Sequence, residues 1–152
     1  MSGFAAIGLH SPQYEVNVGG VMRAIDCYDA KLLVIGGSKF KRYVTDTTKA
    51  WRRIPVVHTA HVLDVIPFDC VPVAVDLVPD AVPLFNYKHP ARAFYVFGPE
   101  NGTLGAQVLS KCRDKIMIPT TGCMNLAATV NVVLYDRAAK RAANKETANE
   151  QA

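Results

Sequence analysis

The chain has 152 residues, of which half are hydrophobic and one fifth are charged, and its formal net charge is +4. This length is typical of one domain that buries its own core, and no apolar run approaches the ~18 residues that a membrane-spanning helix needs. The composition therefore excludes a membrane-spanning protein, while the mild positive charge permits an anionic partner without requiring one.

Short apolar runs alternate with helical patterns along the chain. The runs that predict strands are residues 5–9, 31–35, 56–58, 71–77, 94–97 and 115–118. Helices are expected over residues 19–30, over a short stretch 46–53 capped by Thr45 or Asp46, after residue 102, and in a long segment from Asn125. Residues 63–67 are ambiguous. This alternation predicts an α/β protein with a parallel sheet and helices on both faces of it.

The cysteines and the N-terminus favour a cytoplasmic protein. No C-x-x-C spacing relates the cysteines, which are Cys27, Cys70, Cys112 and Cys123. We therefore expect reduced thiols rather than disulfides. No basic segment precedes the first apolar run, which argues against a signal peptide. His58 and His61 stand three residues apart without a further ligand nearby in sequence, so we expect no metal site.

Two glycine-containing loops in the C-terminal half each follow a strand and open a helix. The first is GPENG at residues 98–102, and the second, residues 120–123, leads into Asn125. In an open α/β sheet, ligands bind at the carboxyl ends of strands, where loops present backbone N–H and C=O groups. Two such loops so close in sequence predict one small-molecule pocket.

A third segment, NVGGVMR at residues 17–23, pairs a helix-capping residue with a cation. Asn17 is a candidate N-cap, and Arg23 is a fork-shaped donor suited to phosphate or carboxylate. Alone, this segment is more typical of a capped helix with a surface arginine than of a functional site.

Together, the three segments resemble the motifs of the SPOUT methyltransferases, specifically the TrmH (SpoU) branch of RNA ribose 2′-O-methyltransferases. The branch's N-x-G-x-x-x-R is similar to residues 17–23, and F-G-x-E-x-x-G-L is similar to residues 97–105 with the Gly-Leu order shifted. I-P-x…S-x-N-[LV] is similar to residues 118–126. The Met-Asn-Leu sequence and small size are most similar to the TrmL type, which modifies the tRNA wobble ribose. We predict one domain over residues 1–140 and a frayed tail over 141–152.

The resemblance implies a fold, a cofactor and an assembly. The C-terminal part of the sheet would be threaded into a deep trefoil knot, which would hold S-adenosylmethionine in the second and third motif loops. Matching positions place cofactor-binding residues at Val75, Gly98, Ile118, Cys123 and Leu126. The protein would be a homodimer through the helix 19–30 and the long C-terminal helix, with Asn17 and Arg23 of one subunit facing the cofactor of the other.

The implied reaction is methyl transfer to a ribose 2′-hydroxyl of RNA, with Asn17, Arg23, Glu100 and Asn125 as catalytic residues. The hydroxyl is a weak acid that must be partly deprotonated and in line with the methyl carbon. Because arginine stays protonated, we expect Arg23 to clamp the adjacent phosphate and stabilise the developing alkoxide. Glu100 and Asn125 would order the loops. Two simpler interpretations stay open: Glu100 as a helix-start carboxylate and Asn125 as a helix cap.

Cys123 departs from the family, which usually has serine there. A thiol is a poorer donor than a hydroxyl, so the change is harmless only if this position acts through its backbone. The hypothesis with tRNA as substrate has two alternatives: ribosomal RNA as substrate or, given Cys123, a pseudoenzyme that binds cofactor or RNA.

The segment between residues 39 and 53 is the densest in basic and aromatic residues. It contains six basic residues, one acid and three aromatics. Basic groups bind phosphates and aromatics stack on splayed bases, although the aromatics could instead pack inward. We predict RNA-binding residues at Arg23, Lys41, Arg42 and Arg52. A different basic group near the C-terminus is expected to form only a solvated helix face: Arg137, Lys140 and Arg141.

Overall fold

The structure is a computed structural model that describes residues 3–40 and 46–152. Within these residues the strands are β1 Phe4–His10, β2 Leu33–Gly36, β3 Val56–Thr59, β4 Val71–Val75, β5 Val82–Pro83, β6 Arg92–Phe97 and β7 Asp114–Met117. The α-helices are α1 Glu15–Cys27, α2 Gly105–Lys111 and α3 Leu126–Glu150. Short 3₁₀ helices span Ala50–Arg52, Val62–Val65 and Leu84–Asn86.

The strands of the described ranges form one parallel sheet in the order β3-β2-β1-β6-β4-β7-β5. This confirms the predicted α/β class, and each predicted strand is present with no end shifted by more than two residues. The ambiguous residues 63–67 contribute to the 3₁₀ helix Val62–Val65. The sequence did not predict β5, which is a two-residue strand in a proline-rich stretch. It lies at the sheet edge, where proline is tolerated.

Alternate side chains of the central strands divide between two hydrophobic clusters. Ile7 and Leu9 of β1 pack with residues of α1 and α3, whereas Ala6 faces the opposite cluster. That opposite cluster contains Val62 and is flanked by Val108 of α2. Helical segments therefore cover both faces, as a sheet whose strands are apolar on both sides requires.

The helix α1 begins earlier than predicted. It starts at Glu15 with Tyr14 as its N-cap, so the prediction that Asn17 is the N-cap is wrong. Asn17 lies in the first turn, and its side chain bonds to other segments. Against α3, α1 packs so closely that a Cβ on Gly20 would lie 2.8 Å from the Cβ of Ala127. This contact brings the N-termini of the two helices together.

Arg137 corrects the prediction of a solvated basic face. Its side chain is buried, and Lys140 is partly buried. Arg137 donates hydrogen bonds to the carbonyl oxygens of Phe4, Pro90 and Ala91. Buried carbonyls require donors, so Arg137 fastens α3 to the loop before β6. The helix α3 continues to Glu150, and residues 141–150, which we expected to fray, lie in it and are largely exposed.

Within residues 3–40 and 46–152, no helix is long and apolar enough to cross a membrane. The same residues contain no group of three or more His, Cys, Asp or Glu side chains placed to hold a metal ion.

Candidate active site

A cavity opens at the carboxyl ends of three adjacent strands, β6, β4 and β7. Phe97, Val75 and Met117, the last residues of these strands, line it. The loops after the strands and the first turn of α3 complete its wall. The cavity encloses about 740 Å³ of space, counting the part open to solvent. Strand ends of this kind are where open α/β sheets bind ligands.

All five predicted cofactor-binding residues line this cavity: Val75, Gly98, Ile118, Cys123 and Leu126. Val75 and Leu126 are buried, Gly98 and Ile118 are partly buried, and Cys123 is exposed. The wall thus combines apolar side chains with polar groups, as small-molecule sites do.

The two loops hold their shapes through short internal bonds. The N–H of Gly102 donates to the carbonyl of Pro99 over 3.3 Å, and Thr120 Oγ1 donates to the carbonyl of Gly122 over 2.7 Å. Gly105 begins α2 with a φ of +79°, a conformation that glycine adopts without strain. The Leu104-Gly105 order of this chain therefore places its glycine where the backbone is left-handed.

Three predicted catalytic residues form one hydrogen-bonded relay beside the cavity. Asn17 Nδ2 donates to Glu100 Oε1 over 2.9 Å, and Asn125 Nδ2 donates to Asn17 Oδ1 over 2.8 Å. Asn125 Oδ1 also accepts the N–H of Ala128 over 3.2 Å, so Asn125 is the N-cap of α3 as well as a member of the relay. We call the chain Glu100–Asn17–Asn125 the motif relay.

Glu100 lies at the start of α1. Its carboxylate accepts the backbone N–H groups of Gln13 and Tyr14 over 2.9 and 3.3 Å, at the positive end of that helix. Burial raises the pKa of Glu100, but the hydrogen bonds from Asn17, Gln13 and Tyr14 together lower it by more, so the pKa lies below its ordinary value. Glu100 does satisfy N–H groups at a helix start, but they are those of the α1 N-cap Tyr14 and of Gln13 before it, not those of the helix that follows Glu100.

Arg23 stands apart from the motif relay. Its side chain is exposed, does not line the cavity, and makes no hydrogen bond or ion pair with another residue in the described ranges. It shares one side of α1 with the exposed residues Val16 and Cys27, because helical residues three, four or seven positions apart lie on the same side. Within a single subunit, three of the four predicted catalytic residues therefore lie together, whereas Arg23 lies apart from them.

Asp76 is a residue of the site that the sequence did not predict. This residue follows β4 and lines the cavity. Its Oδ2 accepts the N–H of Leu104 over 3.0 Å, and its Oδ1 accepts the N–H of Leu77 over 2.8 Å. Asp76 thereby joins the end of β4 to the loop after β6. An acid directly after a buried strand was the signal that could have identified it.

Of the predicted RNA-binding residues, Lys41 and Arg42 lie outside the described residues. Arg52 ends the 3₁₀ helix Ala50–Arg52, and its guanidinium lies 5.3 Å from the ring centroid of Trp51. The predicted helix over residues 46–53 is only this three-residue 3₁₀ helix, and its N-cap is Lys49, so the prediction of Asp46 as the N-cap is wrong. Asp46 instead accepts the N–H groups of Ala50 and Trp51 from four and five positions earlier in the chain. Trp51 is 45% exposed, so it does not pack fully inward.

The sequence matches the model of the SpoU rRNA Methylase family over residues 5–135. The chain belongs to this family. No curated protein matches the sequence. The family assignment accounts for the presence of all three motif segments around one cavity.

Solved structures share the fold of this SpoU family member at low sequence identity. AviRb from Streptomyces viridochromogenes, a SpoU methyltransferase, matches with a TM-score of 0.83 and 20% identity over 93% of this chain and 61% of AviRb. The A. aeolicus TrmH/SpoU tRNA modifying enzyme matches with a TM-score of 0.80 and 17% identity, over 93% of this chain and 77% of that enzyme. A structure that concerns the 2-OH methylation of C/U34 on tRNA matches with a TM-score of 0.72 and 20% identity, over 88% of each chain. The chain thus spans about three fifths of the length of AviRb.

Proposed function

We propose that this protein is an S-adenosylmethionine-dependent methyltransferase that acts on a ribose 2′-hydroxyl of tRNA. The observation that carries the proposal is the motif relay, which joins three separate motif segments beside a cavity at the carboxyl ends of β6, β4 and β7. Membership of the SpoU family supports RNA methylation. The match that covers 88% of both chains concerns 2-OH methylation on tRNA, which supports this substrate and the small TrmL type.

The cavity suits the proposed cofactor. Val75, Ile118 and Leu126 provide apolar surface for a nucleoside, and the backbone near Gly98 and Cys123 provides polar groups. AviRb, which has the same fold, has been solved in complex with AdoMet. When bound, the cofactor supplies an electrophilic methyl group on a sulfonium.

The protein's own residues would position and activate the hydroxyl. Arg23 is exposed and therefore available to clamp the phosphate beside the target ribose and to stabilise the developing alkoxide. The proton would pass to phosphate or water, because arginine remains protonated. Through Asn17, Glu100 fixes the start of the helix that carries Arg23.

We infer a homodimer in which Arg23 of one subunit faces the cofactor site of the other. Arg23 does not line the cavity of its own chain. The helices α1 and α3 also expose apolar side chains: Val16 is 57% exposed and Tyr135 is 62% exposed. The ring of Tyr135 lies edge-on to Tyr28 at 6.5 Å. Exposed apolar patches on packed helices are typical of association surfaces.

We also propose that the C-terminal part of the sheet is threaded as a trefoil knot. The strand order supports this, because β7 lies between β4 and β5, which both precede it in the chain. Most folds avoid threading, so the family assignment is the stronger support.

RNA would bind along the surface of Arg52 and Trp51, together with Lys41, Arg42 and Arg23. Trp51 offers a half-exposed aromatic face with a guanidinium beside it, a combination that suits base stacking next to a phosphate. Arg53, by contrast, is paired with Asp26 over 2.8 Å.

Methyl-labelled S-adenosylmethionine with separated tRNA and ribosomal RNA fractions, followed by nucleoside analysis, tests the function. We expect label in a 2′-O-methylnucleoside from tRNA. Label found only in ribosomal RNA would show that ribosomal RNA, rather than tRNA, is the substrate. Bound cofactor with no label in either fraction would identify a pseudoenzyme, for which Cys123 would be the first residue to restore to serine.

A further inference from the structure

The proposed cofactor cavity has a negative electrostatic character. Among the described residues that line it, the charged side chains are Asp76 and Glu100. Lysine, arginine and histidine do not occur in that described lining. An entering ligand would therefore meet two carboxylates and, from these residues, no cation.

Asp76 is held firmly in this position. Each of its oxygens accepts one backbone N–H, from Leu77 and from Leu104. A carboxylate oxygen accepts about two hydrogen bonds, so each oxygen of Asp76 can accept one more from a ligand in the cavity. The same bonds hold the loop that contains Gly98 and Glu100 against the end of β4.

The reaction changes the charge of the cofactor. Methyl transfer breaks the S–CH₃ bond and forms an O–CH₃ bond, the electron pair stays on sulfur, and the hydroxyl loses its proton. The sulfonium cofactor therefore becomes a neutral thioether, while its amino and carboxylate groups are unchanged. By Coulomb's law, carboxylates near the sulfur attract the sulfonium cofactor more strongly than the neutral thioether.

We propose that Asp76 is a specificity-determining residue that, together with Glu100, makes the cavity prefer the cationic sulfonium cofactor to its neutral thioether product. The inference rests on the proposed function. Asp76 also positions the loop through Leu104, but that role would affect both ligands equally. The preference would help the spent cofactor leave, because its affinity falls when the positive charge is lost.

Titration calorimetry with S-adenosylmethionine and S-adenosylhomocysteine on wild type and Asp76→Asn tests the proposal. For wild type at low salt we expect the sulfonium to bind about three- to tenfold more tightly, as one partly screened charge pair allows. High salt should reduce this ratio, and Asp76→Asn should remove most of it. Equal affinities in wild type, or an unchanged ratio in Asp76→Asn, would overturn the proposal. Failure of both ligands to bind wild type would instead reject the proposed function.

Leu77 provides a second test that leaves the bonds of Asp76 intact. Its side chain lines the cavity and is 57% exposed, while only its backbone N–H bonds to Asp76. Leu77→Lys should lower the ratio of sulfonium to thioether affinity, Leu77→Glu should raise it, and Leu77→Gln is the neutral control. If Asp76→Asn does not fold, the Leu77 variants provide the test of the proposal. Identical ratios of sulfonium to thioether affinity in Leu77→Lys and Leu77→Glu would contradict it.

Discussion

The side-chain amide of Asn17 donates a hydrogen bond of 2.9 Å to Glu100, which lies 83 positions further along the chain. This bond joins the first turn of α1 to the loop after β6. Because Asn125 donates to the same Asn17, the start of α3 is joined to both. The loop beside the cavity is therefore positioned by two helices that also pack against each other.

The first prediction concerns Glu100 and pH. Its folded pKa lies below the ordinary value of 4.5, so its bonds stabilise the fold above that pH, and this stability is lost as the pH falls through the folded pKa. We expect the free energy of unfolding of wild type to exceed that of Glu100→Gln at pH 7. The excess should shrink below about pH 4.5.

Urea unfolding of both proteins between pH 3 and 7 measures this difference. Glu146→Gln, at the exposed end of α3, is the matched control and should change little at any pH. A constant difference between wild type and Glu100→Gln over the whole range would contradict the account of this carboxylate.

The second prediction concerns Arg23. Arg23→Ala should keep the fold and cofactor affinity, because the side chain bonds to no other described residue and does not line the cavity. Methyl transfer should fall by at least ~10²-fold, the scale of losing one transition-state donor. Arg23→Lys should recover little, because a point charge does not replace a planar fork.

Arg113→Ala is the matched control, since Arg113 is also exposed but lies before the amino end of β7, whereas the cavity lies at the carboxyl end of that strand. Single-turnover methyl transfer of the three variants separates the outcomes. Near-normal turnover in Arg23→Ala would remove this residue from the mechanism.

The third prediction is a dimer. Light scattering should give twice the chain mass of 16.6 kDa at micromolar concentration. Tyr135→Arg should shift the protein toward monomer and lower methyl transfer with it, because a charge on the exposed α1–α3 surface disfavours its burial. Phe85→Arg, at a 64% exposed aromatic after β5, should leave the mass unchanged. A wild-type monomer would contradict both the dimer and the shared site.

The fourth prediction locates the RNA. Arg52→Glu, and separately Lys41→Glu with Arg42→Glu, should weaken RNA binding and flatten its salt dependence, because each removes phosphate contacts. Cofactor affinity should not change. Lys145→Glu, on the exposed end of α3, is the control. Unchanged RNA affinity at low salt in both test variants would place the RNA surface elsewhere.

The sequence was sufficient for six of the seven strands in the described ranges and for five residues of the cavity wall, but not for β5 or Asp76. Strands such as residues 71–75 and 94–97 are continuously apolar because the sheet is covered on both faces. Each strand shows this pattern in its own residues, so it can be recognised from the sequence. Gly98 directly follows β6, and Cys123 lies in the loop between β7 and α3, so locating the strands placed both residues at the same end of the sheet.

The errors have a common physical origin in contacts between distant segments. Asn17 looks like an N-cap, but Glu100 takes over the start of α1, and no local pattern reports that. Arg137 looks like a surface residue, but carbonyls from β1 and from the loop before β6 bury it. The dimer and the knot stay predictions for the same reason, since neither leaves a periodic signal in the sequence.

The central claim is that the cavity holds S-adenosylmethionine, and titration calorimetry tests it most directly. Wild type should bind with a micromolar dissociation constant, roughly −8 kcal/mol. Cys123→Trp should abolish binding without unfolding the protein, because Cys123 is exposed and lines the cavity. Ser110→Trp, at an exposed position on α2, should bind normally. Absence of both heat and thermal shift for wild type at millimolar cofactor would contradict the claim, as would normal binding by Cys123→Trp.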